Sequence, residues 1–208
     1  MFNRPWDEFK RRALGRILDN VGAIIDIGGG LRIDPARNNR VDPKNEWIFK
    51  RIKERGISYK VLDYVDTYHP DIVGDIQNLP LPSNSQEAIA CVAVLEHVEN
   101  PIQAASELYR VLQVGGYCFV YVPFLYYYHA DEGYYGDYWR FTEDSLRSMF
   151  KAFSVIEIQK VRGALETLVR LSPLGRWSFF ANAAFLLDKL FGKLNSKQTS
   201  GFYLLLKK

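Results

Sequence analysis

The sequence predicts an α/β fold in which helices cover both faces of a doubly wound, mostly parallel sheet. Three observations carry this prediction. Short apolar runs alternate with segments of helical period, the first run closes on three glycines, and no internal repeat or low-complexity linker interrupts the alternation. A chain of 208 residues can build one well-buried core and is too short for two domains of ordinary size, so residues 1–208 are read as a single domain.

Each element follows from its own pattern. Trp6, Phe9, Ala13, Leu14, Ile17 and Leu18 recur at helical spacing between charged residues, which predicts an amphipathic helix over 4–19. AIIDI at 23–27, apolar but for one acid, reads as a central parallel strand entering a tight turn. Residues 31–44 are polar and turn-rich, and Pro43 opens a helix over 44–55 that stops at Gly56. YKVLDY (59–64) is the second strand and DIVGD (71–75) a short third. AIACVAVL (88–95) and YCFVYVP (117–123) are the fourth and fifth. The helix between them is capped by Asn100 and Pro101, carries Ala104, Leu108 and Leu112, and ends before Gly115 and Gly116. SVIEIQKV (154–161) and GFYLLLKK (201–208) bring the count to seven strands, and the segment between them, about 163–195, is a helical apolar insert.

Composition narrows the partners. Apolar residues make up 48% and charged residues 25%, the balance of a globular protein. The net charge is only +3 and no Lys/Arg run tracks a phosphate backbone, so no nucleic acid partner is expected. Cys91 and Cys118 each lie inside an apolar run, which argues against a disulfide framework and for a reducing, cytoplasmic setting. No signal-peptide core and no apolar stretch of about 18 residues occurs. The insert, with Leu168, Trp177, Phe179, Phe180 and Phe191 among Arg170, Arg176, Lys189 and Lys193, has three open readings: a cover over the sheet, a peripheral bilayer contact, or a homodimer contact.

The glycine turn places a surface free of side chains at the carboxyl edge of the sheet, where open α/β proteins bind nucleotides. Asp26, Gly28, Gly29 and Gly30 form it; the dinucleotide pattern would need glycine at Ile33, which disfavours a nicotinamide cofactor. Asp63 closes strand two, where a carboxylate can accept from both ribose hydroxyls. Asp75 follows strand three, where its carboxylate and the Ile76 N–H together would read adenine.

Taken in order, IIDIGGG, the acid of VLDY, GDIQNLPL, AVLEHV, ELYRVLQVGGY and VPF resemble the motifs of class I S-adenosylmethionine-dependent methyltransferases over roughly residues 20–155. The resemblance implies a Rossmann-like methyltransferase fold with a mostly parallel seven-stranded sheet and an antiparallel last strand. It implies S-adenosylmethionine as cofactor, with Asp26, Gly28 and Gly30 at its methionine end, Asp63 at the ribose, Asp75 and Ile76 at the adenine, and Ala93 and Val94 beside the sulfonium. Two features depart from the pattern. Arg32 stands where a further glycine is often found, and the interval from Asp26 to Asp63 exceeds the usual ~20 residues. Arg32, Arg37 or Arg40 from the expanded loop can fold back onto the cofactor's carboxylate or remain solvated.

Methyl transfer to a small acceptor, at oxygen, needs the hydroxyl proton removed, and histidine is the natural base. His97, after strand four, and His129, after strand five, are the candidates; His69, beside Pro70, is read as a surface residue. Some similar methyltransferases bind a divalent ion through E-x-x-E-H at this point. Here the first Glu is replaced by Ala93, so Glu96 and His97 are expected to begin the next helix and no metal is expected. The aromatic loop 126–142 offers Tyr128, Asp137, Tyr138, Trp139 and Arg140 for a glycan-like acceptor, or for packing. Its D-Y-W-R-F-T string resembles small bacterial methyltransferases tied to cell-surface glycan or other secondary pathways. The alternative function is an S-adenosylmethionine-binding protein without turnover, its loop remodelled around Arg32.

Overall fold

The computed structural model describes residues 4–37 and 40–208; Asn38 and Asn39, in the segment read as turn-rich, and the first three residues lie outside the described residues. Helix α1 (Pro5–Asn20) precedes β1 (Ala23–Ile27), and α2 (Glu46–Glu54) follows the expanded loop, ending at Gly56 with φ +63°. Strands β2 (Ser58–Asp63), β3 (Ile72–Val73) and β4 (Gln86–Val92) lead to α3 (Pro101–Val111), whose Asn100 side chain accepts from the Gln103 N–H. Then come β5 (Leu112–Pro123), α4 (Glu143–Met149), β6 (Val155–Val161), α5 (Ala164–Leu171), α6 (Ser178–Leu190) and β7 (Gly201–Lys207).

The sheet has seven strands in the order β3-β2-β1-β4-β5-β7-β6. Pairings from β3 to β5 are parallel, and β7 runs antiparallel to both β5 and β6. Buried Ile25, Ile27, Cys91, Leu108, Val120 and Phe150 fill one face, while Leu14, Ile17, Ile24, Ile48, Ala90 and Phe119 fill the other, so both faces are covered as parallel sheets require. Cys91 and Cys118 are free and buried. Among the described residues no helix is long and apolar enough to cross a membrane.

Strand five begins earlier than the pattern suggested. Gly115, with φ +82°, and a register shift between Gln86 and Ala88 admit an irregular start at Leu112 before the regular ladder resumes at Tyr117. Helix α4 had no strong apolar period to announce it; its start is fixed by a capping box in which Thr142 and Ser145 bond reciprocally.

The insert forms two helices joined by a turn at Pro173–Arg176. Asp188 of α6, fully buried, accepts from the Leu165 and Glu166 N–H groups at 2.9 Å and so caps α5 from outside it. Arg4 ties α1 to the pair through Glu166 and Asn182, and Trp6 meets Phe185 edge-on at 5.8 Å. One side of the pair therefore covers the body of the protein, yet Leu168, Trp177, Phe179, Leu190 and Phe191 remain exposed. The acids of 163–195, Glu166 and Asp188, are buried, so the exposed charges of that face, Arg176, Lys189 and Lys193, are all positive.

Candidate active site

Strand order reverses between β1 and β4, because β1 leads outward to β2 and β3 while β4 starts the other half of the sheet. A crevice must open where the connections diverge. A cavity of about 700 Å³ lies there, lined by Gly28 and Gly30 after β1, Asp63 at the end of β2, Asp75, Ile76 and Gln77 after β3, and Ala93, Val94 and His97 after β4. The glycine turn is pressed against the tip of β4. Gly28 has φ +76°, and a Cβ on Gly30 would stand 2.1 Å from the Val92 carbonyl oxygen. Ala93 itself adopts φ +56°, a conformation held by its N–H bond to the Tyr121 carbonyl at 3.0 Å.

Of the expected cofactor residues, Gly28, Gly30, Asp63, Asp75, Ile76 and Ala93 all line this cavity. Desolvation raises the pKa of the Asp63 carboxyl, against the Val65 and Tyr64 N–H groups that lower it, and the Val65 N–H bond is long at 3.3 Å, so acceptor capacity remains. The Asp75 carboxylate also accepts from the Gln77 N–H at 2.8 Å, capping the turn that presents Ile76. Asp26 departs from its expected place, because it is fully buried and absent from the cavity wall. It accepts from the Leu31 N–H at 3.1 Å and from the Tyr59 hydroxyl at 2.8 Å, holding the glycine turn from behind. Burial there pushes its pKa up to about 7.

The three loop arginines separate. Arg32 lines the cavity, whereas Arg37 pins the loop to Asp34, Asp71 and the His69 carbonyl, and Arg40 is exposed. The sequence did not reveal Lys10 of α1, which also lines the cavity, donates to Asn45 Oδ1 at 2.6 Å and has its pKa lowered by burial. Tyr121 and Tyr203, from β5 and β7, complete that wall.

Beyond Ala93 the chain makes a short turn, Leu95–His97, and α3 starts only at Pro101, so Glu96 and His97 do not begin the helix. Instead Glu96 is fully buried with both carboxylate oxygens unpartnered. Its Oε1 faces His97 Nε2 at 3.9 Å and His129 Nε2 at 3.7 Å, and the two imidazoles meet edge-on at 4.8 Å. Facing Glu96 raises the His129 pKa, against the desolvation that lowers it. The two expected catalytic histidines are thus adjacent, 32 residues apart in sequence but joined at one buried carboxylate.

The aromatic loop contributes unevenly. Tyr134, Tyr135, Gly136 and Tyr138 line the cavity. Tyr128 is 75% exposed and points to no wall of it, and the Trp139 indole donates to the Val98 carbonyl at 2.9 Å, fastening the loop. Asp137 braces the loop: the Arg140 guanidinium beside it, and the His129 N–H at 2.8 Å, hold its pKa down to about 2. Arg140 spends its remaining donors on the Tyr126, Tyr127 and Trp139 carbonyls.

Comparison with known proteins agrees with this architecture. Residues 40–120 match the family described as a methyltransferase domain. Over 65 residues the chain is 37% identical to the demethylmenaquinone methyltransferase of Chlamydia trachomatis, a match spanning 29% of this chain and 28% of that protein. The fold is similar to that of a SAM-dependent methyltransferase from Archaeoglobus fulgidus, with a TM-score of 0.62 at 14% identity over 99% of this chain and 95% of that one. It is also similar to Haemonchus contortus phosphoethanolamine N-methyltransferase 2, solved with S-adenosyl-L-methionine, with a TM-score of 0.54 at 14% identity over 95% of this chain and 52% of that one.

Proposed function

We propose that the chain is an S-adenosylmethionine-dependent methyltransferase that modifies a small or glycan-like acceptor at oxygen. The observation that carries this reading is the cavity at the strand-order reversal, with a side-chain-free turn on one wall and a desolvated carboxylate, Asp63, on another. Its volume falls within the ~300–1,000 Å³ usual for ligand sites. These features fit the cofactor: the glycine backbone admits close approach, Asp63 accepts from vicinal hydroxyls, and the Ile76 side reads a flat base. Lys10 and Arg32 supply positive charge for a carboxylate, a role the sequence reading gave to the loop arginines alone.

When bound, S-adenosylmethionine supplies a methyl group on a sulfonium, already primed to leave. What the protein adds is alignment and exclusion of water. Tyr134, Tyr135 and Tyr138 offer faces on which a polyhydroxylated ring can stack, and the cluster of Glu96, His97 and His129 lies next to them to deal with the acceptor's proton. The positive, apolar face of α5 and α6 supports a further assignment, that it rests on an anionic bilayer surface.

The test is a screen of metabolite and glycan extracts with methyl-labelled cofactor, beside calorimetric titration of the cofactor alone. Micromolar binding with label transfer supports the reading. Binding without transfer to any fraction favours the non-catalytic alternative, and absence of binding removes both.

A further inference from the structure

We propose that Glu96, His97 and His129 form a binding site for one divalent first-row transition ion at the edge of the cavity. The argument begins with protons. His97 Nδ1 lies 2.6 Å from the Gly136 carbonyl oxygen and His129 Nδ1 lies 3.0 Å from the Tyr127 carbonyl oxygen. A carbonyl can only accept, so each Nδ1 carries the ring hydrogen and each neutral ring presents a bare lone pair at Nε2. Both of those lone pairs face Glu96, whose two oxygens are buried and have no hydrogen-bond partner among the described residues.

With both rings neutral, three acceptors converge with no donor among them. The Arg140 guanidinium brings none, because all five of its donors are used on Asp137 and on backbone carbonyls. A buried carboxylate left this way is costly unless a cation sits with it. One proton on one imidazole would satisfy a single pair; a metal ion satisfies all three atoms at once.

Distances and chemistry agree. The three ligand atoms lie within 4.8 Å of one another. Donors around an ion with bonds of about 2.0–2.2 Å stand roughly 3 to 3.6 Å apart, so small rotamer changes close the set. Two imidazoles and one carboxylate suit zinc, cobalt, manganese or iron(II) better than calcium or magnesium. The outer partners that such ligands need are present, since both Nδ1 atoms are oriented by carbonyls and Asp137 stands 3.2 Å from His129 Nδ1. The sequence reading counted one carboxylate and one imidazole here; the fold brings the second imidazole from 32 residues away.

Three protein ligands leave a coordination position open, and His97 borders the cavity. With the ion bound, an oxygen of the acceptor would take that position, where the ion would lower the hydroxyl's pKa and let its proton pass to solvent. This role rests on the proposed methyltransferase activity; the ion site itself does not.

The experiment titrates the chelator-stripped full chain with cobalt(II) chloride and follows visible d–d absorption, with calorimetric titration of zinc chloride in parallel. One equivalent bound, with affinity lowered at least tenfold in Glu96→Gln and in His129→Gln but unchanged in the exposed His69→Gln, supports the site. His129→Gln guards against misfolding, because that side chain is partly exposed, and circular dichroism confirms the fold of each variant. No saturable binding, or equal binding by folded Glu96→Gln, overturns the proposal. Methyl transfer that persists in chelator without bound ion would overturn the ion's role in the reaction and leave the methyltransferase reading standing; one equivalent of ion bound without any transfer would leave the site standing and count against that reading.

Discussion

Asp26 and Asp63 are both acids at strand tips, and their surroundings give them opposite tasks. Asp63 borders the cavity with acceptor capacity to spare, so Asp63→Ala should weaken S-adenosylmethionine binding by about 1–3 kcal/mol, read by calorimetric titration. Unchanged affinity in a folded variant would remove Asp63 from the ribose. Asp26 is buried behind the glycine turn with a pKa pushed up to about 7, from an ordinary 3.8. The folded state thus holds that proton more tightly than the unfolded chain does. Its stabilising effect is complete below about 3.8, declines as the pH climbs, and is gone above about 7, at a slope of up to ~1.4 kcal/mol per pH unit. Thermal melts of the ligand-free protein should therefore fall in midpoint between pH 5 and 8, and Asp26→Asn, which keeps an acceptor for Tyr59 and Leu31 but has no proton to lose, should flatten that fall. Parallel curves for both proteins would contradict it. The sequence showed an acid at each strand tip. It could not show which one turns inward, because that depends on Tyr59 reaching across from β2.

At the scale of elements, the strands were the most legible part. AIIDI was placed at its observed bounds because a strand buried on both faces is nearly all apolar, and β7 was legible for the same reason; β6, a partly buried edge strand, shows Ile156 and Ile158 alternating with Glu157 and Gln159. The early start of β5 and the whole of α4 were not: Gly115 and Gly116 look like a terminator, and seven residues are too few for a period to emerge. Contributions from distant elements were equally hidden, as with Lys10 from α1 or the meeting of His129 with Glu96. Asp188 is a case in which one element completes another. Asp188→Ala should leave one buried and one partly buried N–H at the start of α5 without acceptors and lower stability by roughly 1–3 kcal/mol, measured by urea unfolding. A loss within experimental error would show that water serves the helix end as well.

For the whole molecule, the relevant fact is where the insert leaves the sheet. Val161 of β6 pairs with Gly201 of β7, which pairs in turn with Pro123 at the carboxyl end of β5, so α5 and α6 spring from the edge on which the cavity opens. With its exposed aromatics and basic residues, that face should carry the protein onto vesicles containing phosphatidylglycerol and much less onto phosphatidylcholine alone. Sedimentation with vesicles measures this; replacing Trp177 and Phe179 by Asp should abolish it while leaving cofactor affinity intact. Concentration-dependent self-association in place of vesicle binding would assign the same face to a second copy of the chain.

Placing the apolar helices and the pocket mouth on one rim changes what the substrate concentration means. Were the protein held flat against a lipid sheet as proposed, a membrane-borne acceptor would reach it by diffusion in two dimensions, and turnover would track surface density and drop when inert lipid dilutes the acceptor, even with the total amount in the tube unchanged.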